Sequence, residues 1–360
     1  MNMPLWLKRD YKAAAYVLTS CVIGLIFMRL VSYFIALPSD TYGGYLVYTA
    51  FFSVMSQLVF FLAIPFCIYK IYGKRTVKQT LEFSSIGRFK AYFLLAVPLG
   101  IAVFFLTVGI SSAWTALLKL TGYTVSSSSP DMPDKFVFGF LVTEILLTAI
   151  LPAVCEEFAM RGGLLSTARH SFKDIACIVL FGIIFGLFHQ NIRQVFYTSL
   201  FGALAAYLTL RTKSLYPAML MHFTNNFCSV FVDYAVNYDW AFGGGFYSML
   251  GLMPVWLLAL VFLAVGLFGT AMVVFMIYFR DRQAIKKKRR MIIDSMLDSA
   301  KRAADGEKGD NAPGLALRAV YEKDAETLYK PTLRDVAIFI ALGVVTLLTT
   351  VFTYVWGFFY

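Results

Sequence analysis

The sequence predicts an all-α fold, a polytopic transmembrane helical bundle of about nine spans. Three observations predict it. Of 360 residues, 59% are hydrophobic and only 15% charged, with a mean hydropathy of +0.70. A water-soluble domain of this length needs far more charge to cover its surface. The apolar residues fall in runs of the roughly 20 residues that carry a helix across a bilayer's hydrocarbon core. Lys and Arg concentrate in alternate loops, the arrangement that orients a multi-pass chain. The net charge of +11 therefore reads as topology and contact with anionic headgroups, and a nucleic-acid partner is not expected.

Taken in order, Lys8, Arg9 and Lys12 precede an apolar run that reaches about residue 38. It is too long for a signal-peptide core and no small-residue cleavage site follows, so a first transmembrane anchor is expected. The first three spans fall near 13–37, 44–70 and 89–120. Four more fall near 137–168, 174–190, 194–211 and 214–236, and two near 252–279 and 335–358. Backbone in lipid must satisfy its own hydrogen bonds, and runs this long do so as helices. Basic residues fill the N-terminus, the loop with Lys70, Lys74, Arg75, Lys78, Arg88 and Lys90, the turns at Arg169/Lys173 and Arg211/Lys213, and the segment after Arg280. Loops 38–44, 122–133 and 237–245 carry none. That alternation puts the N-terminus in the cytosol and the C-terminus outside.

The chain thus divides into N-terminal helices (1–135), a core (136–236), an eighth transmembrane helix (237–279), a cytosolic basic segment (280–334) and a C-terminal helix (335–360). The basic segment opens with Lys286-Lys287-Lys288-Arg289-Arg290, a polybasic run suited to anionic lipids. An amphipathic helix with Met291, Ile292, Met296 and Leu297 is expected next, then a polar linker at 305–313 and a second short helix. Cys21, Cys67, Cys155, Cys177 and Cys228 lie in apolar stretches with neither disulfide nor zinc spacing, so they read as small buried hydrophobes.

Ionisable groups inside spans are costly and mark function. The fourth span carries Glu144, Glu156, Glu157 and Arg161, the fifth ends in His189, and the seventh holds His222 and Asn226. Glu157 precedes Arg161 by four residues and shares its helix face, so the two can neutralise each other. Glu156 points about 100° away and lacks that local partner, which leaves it free for acid–base chemistry. Phe185 lies four residues before His189 and can hold the imidazole by packing on the same face. Asn226 stands four residues after His222, aimed at a common pocket. Glu144, and His170 in a solvated basic turn, read as non-catalytic, and Asn225 as a cap or spacer.

The pattern Glu-Glu-x-x-x-Arg, Phe-x-x-x-His and His-x-x-x-Asn on successive membrane helices resembles the CAAX-protease and bacteriocin-processing (Abi) family of intramembrane proteases, which includes the type II CAAX prenyl endopeptidases. The motifs are Glu156 to Gly162, Phe185 to His189 and His222 to Asn226, with Met160 where an aromatic is common. The resemblance covers about 137–230, a quarter of the chain. It implies a four-helix catalytic core and a glutamate-dependent hydrolase acting on a peptide or membrane-protein substrate. Glu156 and His189 would activate water, His222 and Asn226 would stabilise the oxyanion, and Glu157, Arg161 and Phe185 would give structural support. A divalent metal such as zinc stays open. Glu156, His189 and His222 match a zinc set by type but lack the compact His-Glu-x-x-His spacing, so water activation with little or no metal dependence is favoured.

Two other classes compete. A non-catalytic scaffold or regulator, serving bacteriocin immunity or signalling, would share the fold. A proton-coupled transporter would need internal repeats, and the ionisable cluster occupies one half only. Short loops without targeting features point to a bacterial plasma membrane. The sequence says nothing of oligomeric state.

Overall fold

A computed structural model describes residues 3–35, 41–75, 86–124, 131–240, 252–304 and 329–356. Among the described residues the fold is all-α, with nine helices and no β-strand. We number them α1 (Leu5–Phe34), α2 (Tyr42–Ile71), α3 (Ile86–Leu120), α4 (Phe138–Ala168), α5 (Asp174–Phe188), α6 (Val195–Thr212), α7 (Tyr216–Asn237), α8 (Val255–Ala304) and α9 (Leu333–Trp356). Six of these, α1 to α4, α8 and α9, are long and apolar enough to cross a membrane. The nine spans expected from the sequence are therefore not alike. Helix α5 is apolar but has 15 residues, about 22 Å against the roughly 30 Å of a hydrocarbon core. Helices α6 and α7 are long enough but more polar, and both carry groups that line a shared cavity.

Contacts at the two ends show that successive helices run up and down. At one end Arg75, just beyond α2, pairs with Asp10 of α1 at 2.9 Å and bonds Ser166 and Thr167 of α4. There Trp6 packs edge-on against His170, whose carbonyl accepts from the backbone N–H of Tyr329 before α9. The Tyr92 hydroxyl of α3 donates to Asp281 of α8 at the same end. At the other end Tyr42 donates to Glu144, Tyr238 to the Pro133 carbonyl, and Tyr354 to Thr121. His170 is half-buried against Trp6, not solvated as its turn suggested.

The buried core is drawn from α1 (Val17, Leu18), α3 (Leu99, Val103), α4 (Cys155, Met160), α5 (Phe181, Phe185), α6 (Phe201, Ala205) and α7 (Ala218, Met221). Helices α5 and α6 approach closely because Gly202 has no side chain. A Cβ there would lie 2.5 Å from Phe185 Cβ and 3.0 Å from the Phe181 carbonyl oxygen, the small-residue contact that membrane helices favour.

Two helices widen into π-helix just before a proline. In α2 the stretch Met55–Ala63 precedes Pro65, and in α4 the stretch Ile145–Ile150 precedes Pro152. Proline lacks the N–H of a helical hydrogen bond and crowds the carbonyl four residues back, and a wider turn relieves both. The widened segment of α4 lines the cavity described below through Leu147 and Thr148, and that of α2 carries Gln57.

Helix α8 is one continuous element of 50 residues, about 75 Å long. The amphipathic helix expected after the polybasic run is thus the far end of α8, with Met291 and Leu297 exposed and Ile292 and Met296 half-buried. Lys78, the linker at 305–313 and the short helix after it lie outside the described residues. Cys21, Cys155 and Cys177 are buried, Cys228 is intermediate, and Cys67 is exposed, since it falls on the outer face of α2.

Candidate active site

A cavity of about 320 Å³ opens between α2, α3, α4, α6, α7 and the end of α5. Glu156, His189, His222 and Asn226 all line it, with Phe185, Thr148, Pro152, Tyr197, Thr198 and Asn225 among the other walls. Glu157 and Arg161 stand behind the wall, both fully buried.

The two adjacent glutamates have different surroundings. Glu157 Oε1 accepts from Arg161 Nη1 at 3.1 Å, one turn on, and from His222 Nδ1 at 2.9 Å across the bundle. Arg161 in turn donates through Nη2 to the Gly202 carbonyl at 2.9 Å, and its guanidinium lies 4.7 Å over the Phe185 ring. Removing the side chain at 202 therefore serves twice, bringing α6 close and baring a carbonyl to the guanidinium. The carboxylate, the guanidinium and the imidazole form one buried network in which each charge meets its opposite. The helical pairing with Arg161 is local, whereas the bond to His222 depends on how α7 packs on α4. The His222 ring is 4% exposed and sits edge-on to Phe201 at 4.7 Å.

His189 caps α5. Its backbone N–H turns back to Gly186 at 3.3 Å, and the Phe185 carbonyl is taken by its own ring, Nδ1 to oxygen 2.9 Å. A carbonyl only accepts, so Nδ1 carries the proton and Nε2 of the neutral ring holds a lone pair. The Phe185 ring packs edge-on to His189 at 5.1 Å. The following turn, with Gln190 in the left-handed region at φ 46°, is clamped from three distant helices. Arg29 of α1 donates to the Gln190 carbonyl at 2.9 Å, Trp114 of α3 to the Ile192 carbonyl at 2.7 Å, and the Ile192 N–H donates to Thr353 of α9 at 2.9 Å.

Asn226 Nδ2 donates to the Thr148 carbonyl at 2.9 Å, and Asn225 Nδ2 donates to Asn226 Oδ1 at 2.9 Å. Thr148 lies four residues before Pro152, whose missing N–H leaves that carbonyl open to a partner from α7. Asn225 is thus part of the cavity wall and of the asparagine's support, not a spacer. Glu156 is half-buried, and its Oε1 accepts from Gln57 Nε2 of α2 at 2.7 Å. The glutamate that lacks a partner on its own helix has one from another. Sequence reasoning missed Gln57 and Pro152. The signals were present, a lone amide within an apolar span and a proline one turn before Glu156.

Among the described residues no group of three His, Cys, Asp or Glu side chains clusters as a metal ion requires. As they stand, Glu156, His189 and His222 are not grouped closely enough to hold an ion together. One ring nitrogen of each histidine is already committed, to Phe185 and to Glu157.

Residues 138–228 match the family model described as type II CAAX prenyl endopeptidase Rce1-like. No curated protein and no solved structure matches the chain. The matched segment runs from the start of α4 into α7 and includes every residue of the three motifs.

Proposed function

With an Rce1-like domain of the CAAX-protease family over residues 138–228 as the premise, we propose that this multi-pass membrane protein is a glutamate-dependent intramembrane endopeptidase. It cuts a peptide bond of a membrane-associated or peptide substrate. The observation that carries the reading is the single cavity of about 320 Å³ whose wall holds Glu156, His189, His222 and Asn226 together.

Water has two hydrogens, and the cavity offers two acceptors for them. The Glu156 carboxylate takes one proton as the general base, while His189 Nε2 accepts from the other O–H and orients the oxygen towards the scissile carbonyl. Two donors face the charge that develops. His222, held through Nδ1 by Glu157, serves as the imidazolium in this scheme, and its Nε2–H donates to the oxyanion. One N–H of Asn226 is anchored on Thr148, which fixes the second for the same oxygen. Glu156 finally passes its proton to the leaving nitrogen as the C–N bond breaks. Glu157 and Arg161 do no chemistry in this scheme and keep His222 in place.

The test is mass spectrometry of membrane and secreted peptides from cells carrying wild-type protein or Glu156→Gln. Loss of a general base lowers turnover by roughly 10²- to 10⁴-fold, so a defined set of new peptide termini should vanish in the variant. Identical peptides in both strains sink the peptidase reading in favour of a scaffold.

A further inference from the structure

Residues 138–228 supply every side chain that acts in the proposed hydrolysis, but not the one that holds its base. Gln57 belongs to α2, outside that segment, on the π-helical stretch Met55–Ala63. It is 9% exposed, among Phe and Leu neighbours in sequence, and its Nε2 lies 2.7 Å from Glu156 Oε1. An amide buried in an apolar span is unfavourable unless it is hydrogen-bonded, and the bond that this one makes is to the cavity glutamate.

We infer that Gln57 is the positioning residue for Glu156, through an amide able to serve both protonation states of the carboxyl group. The inference rests on the reading of Glu156 as the proton carrier. In the first step a water O–H bond breaks, its proton goes to Glu156, and the oxygen forms a bond to the substrate carbonyl carbon. In the second the carboxyl O–H breaks and its proton goes to the amide nitrogen as the C–N bond breaks. Glu156 must therefore be a carboxylate, then an acid, then a carboxylate again. A primary amide meets both needs, since its N–H₂ donates to the carboxylate and its oxygen, turned over, accepts from the carboxylic acid. Gln57 Oε1 meets no donor among the described residues, so turning the amide breaks no bond except the one to Glu156. An arginine at 57 would hold the carboxylate in one state and oppose the second step. A methionine would hold neither.

The experiment uses full-length protein in detergent micelles with isotopically labelled glutamine side chains. The Gln57 amide resonance is assigned by its absence in Gln57→Met. If the contact exists, that resonance moves towards the free-amide position in Glu156→Ala while other glutamine signals stay put. An unmoved resonance overturns the inference. Kinetics then use the same protein in liposomes with a quenched fluorescent peptide library. Loss of a hydrogen bond to a charged group should lower kcat roughly ten- to hundredfold for Gln57→Met, with KM and the thermal midpoint unchanged. Gln57→Leu, which fills similar space and offers neither donor nor acceptor, should fall as far, and wild-type rates in both variants overturn the inference. If wild-type protein cuts no peptide but the resonance still depends on Glu156, the peptidase reading falls and the contact stands.

Discussion

Among the described residues two buried charge clusters of similar composition lie at different depths in the bundle, and α4 contributes to both. At the end that gathers the N-terminus and the α4–α5 turn, Asp10 receives two bonds from Arg75, which also donates to Ser166 and Thr167 and lies 4.5 Å over the Tyr69 ring. One to two turns deeper, Glu157 meets Arg161 and His222. In the first cluster the partners answer one another and the result is a staple between α1, α2 and α4. In the second the carboxylate spends one bond on the staple and another on an imidazole that lines a cavity. Burial of an ion pair alone does not mark a site. What marks it is a third group held by the pair and turned towards space that a substrate can enter.

The largest difference between the clusters is expected in stability. Arg161→Met leaves Glu157 buried beside a single imidazole and should cost about 3–5 kcal/mol of stability. Asp10→Leu should cost less, about 1–3 kcal/mol, because Arg75 near the bundle end can reach towards water. Unfolding in detergent monitored by circular dichroism measures both. Equal losses would mean that depth in the bundle does not separate the clusters.

On turnover the two should part completely. Glu157→Gln keeps an acceptor for His222 but removes the negative charge beside its ring, and should slow peptide cleavage about a hundredfold. Asp10→Asn should leave the rate of the folded protein unchanged, and a matching loss there would make both clusters mere supports.

A smaller effect is expected at Pro152. Pro152→Ala restores a helical N–H to the Thr148 carbonyl and competes with Asn226 for it. Stability should rise by about 1 kcal/mol while cleavage falls roughly tenfold. A variant both more stable and equally active would sever the proline from the site.

The last effect is a pH dependence and belongs to His170, outside the membrane-spanning helices. Burial, with Arg169 and Arg75 nearby and a weaker opposite pull from Asp10, pushes it down from the ordinary 6.5 to about 4. The unfolded chain takes up this proton below 6.5 and the folded one resists until about 4. Stability is therefore full above 6.5 and is lost as pH falls through that window. Thermal midpoints over the same window should fall less steeply in His170→Phe, which still packs on Trp6. Parallel curves would show that this histidine does not titrate with folding.

Relations within one helix were legible in the sequence. Spacing along the chain put Glu157 with Arg161 on one helix face and Phe185 with His189 on another. Relations between helices were not. That His222 reaches Glu157, that Gln57 reaches Glu156, and that the Thr148 carbonyl accepts from Asn226 depend on how each helix is rotated and how deep it sits.

By itself the sequence determined an all-α membrane bundle, because apolar run length and loop charge are summed over many residues and survive local detail. It also determined which few polar groups stand inside. Only the tertiary structure decided what those groups touch. A side chain reaches a partner across a bundle through angles and offsets of a few ångströms, set by glycine contacts such as Gly202 and proline-widened turns such as that before Pro152. Those quantities belong to the packed helices together and to no single stretch of chain.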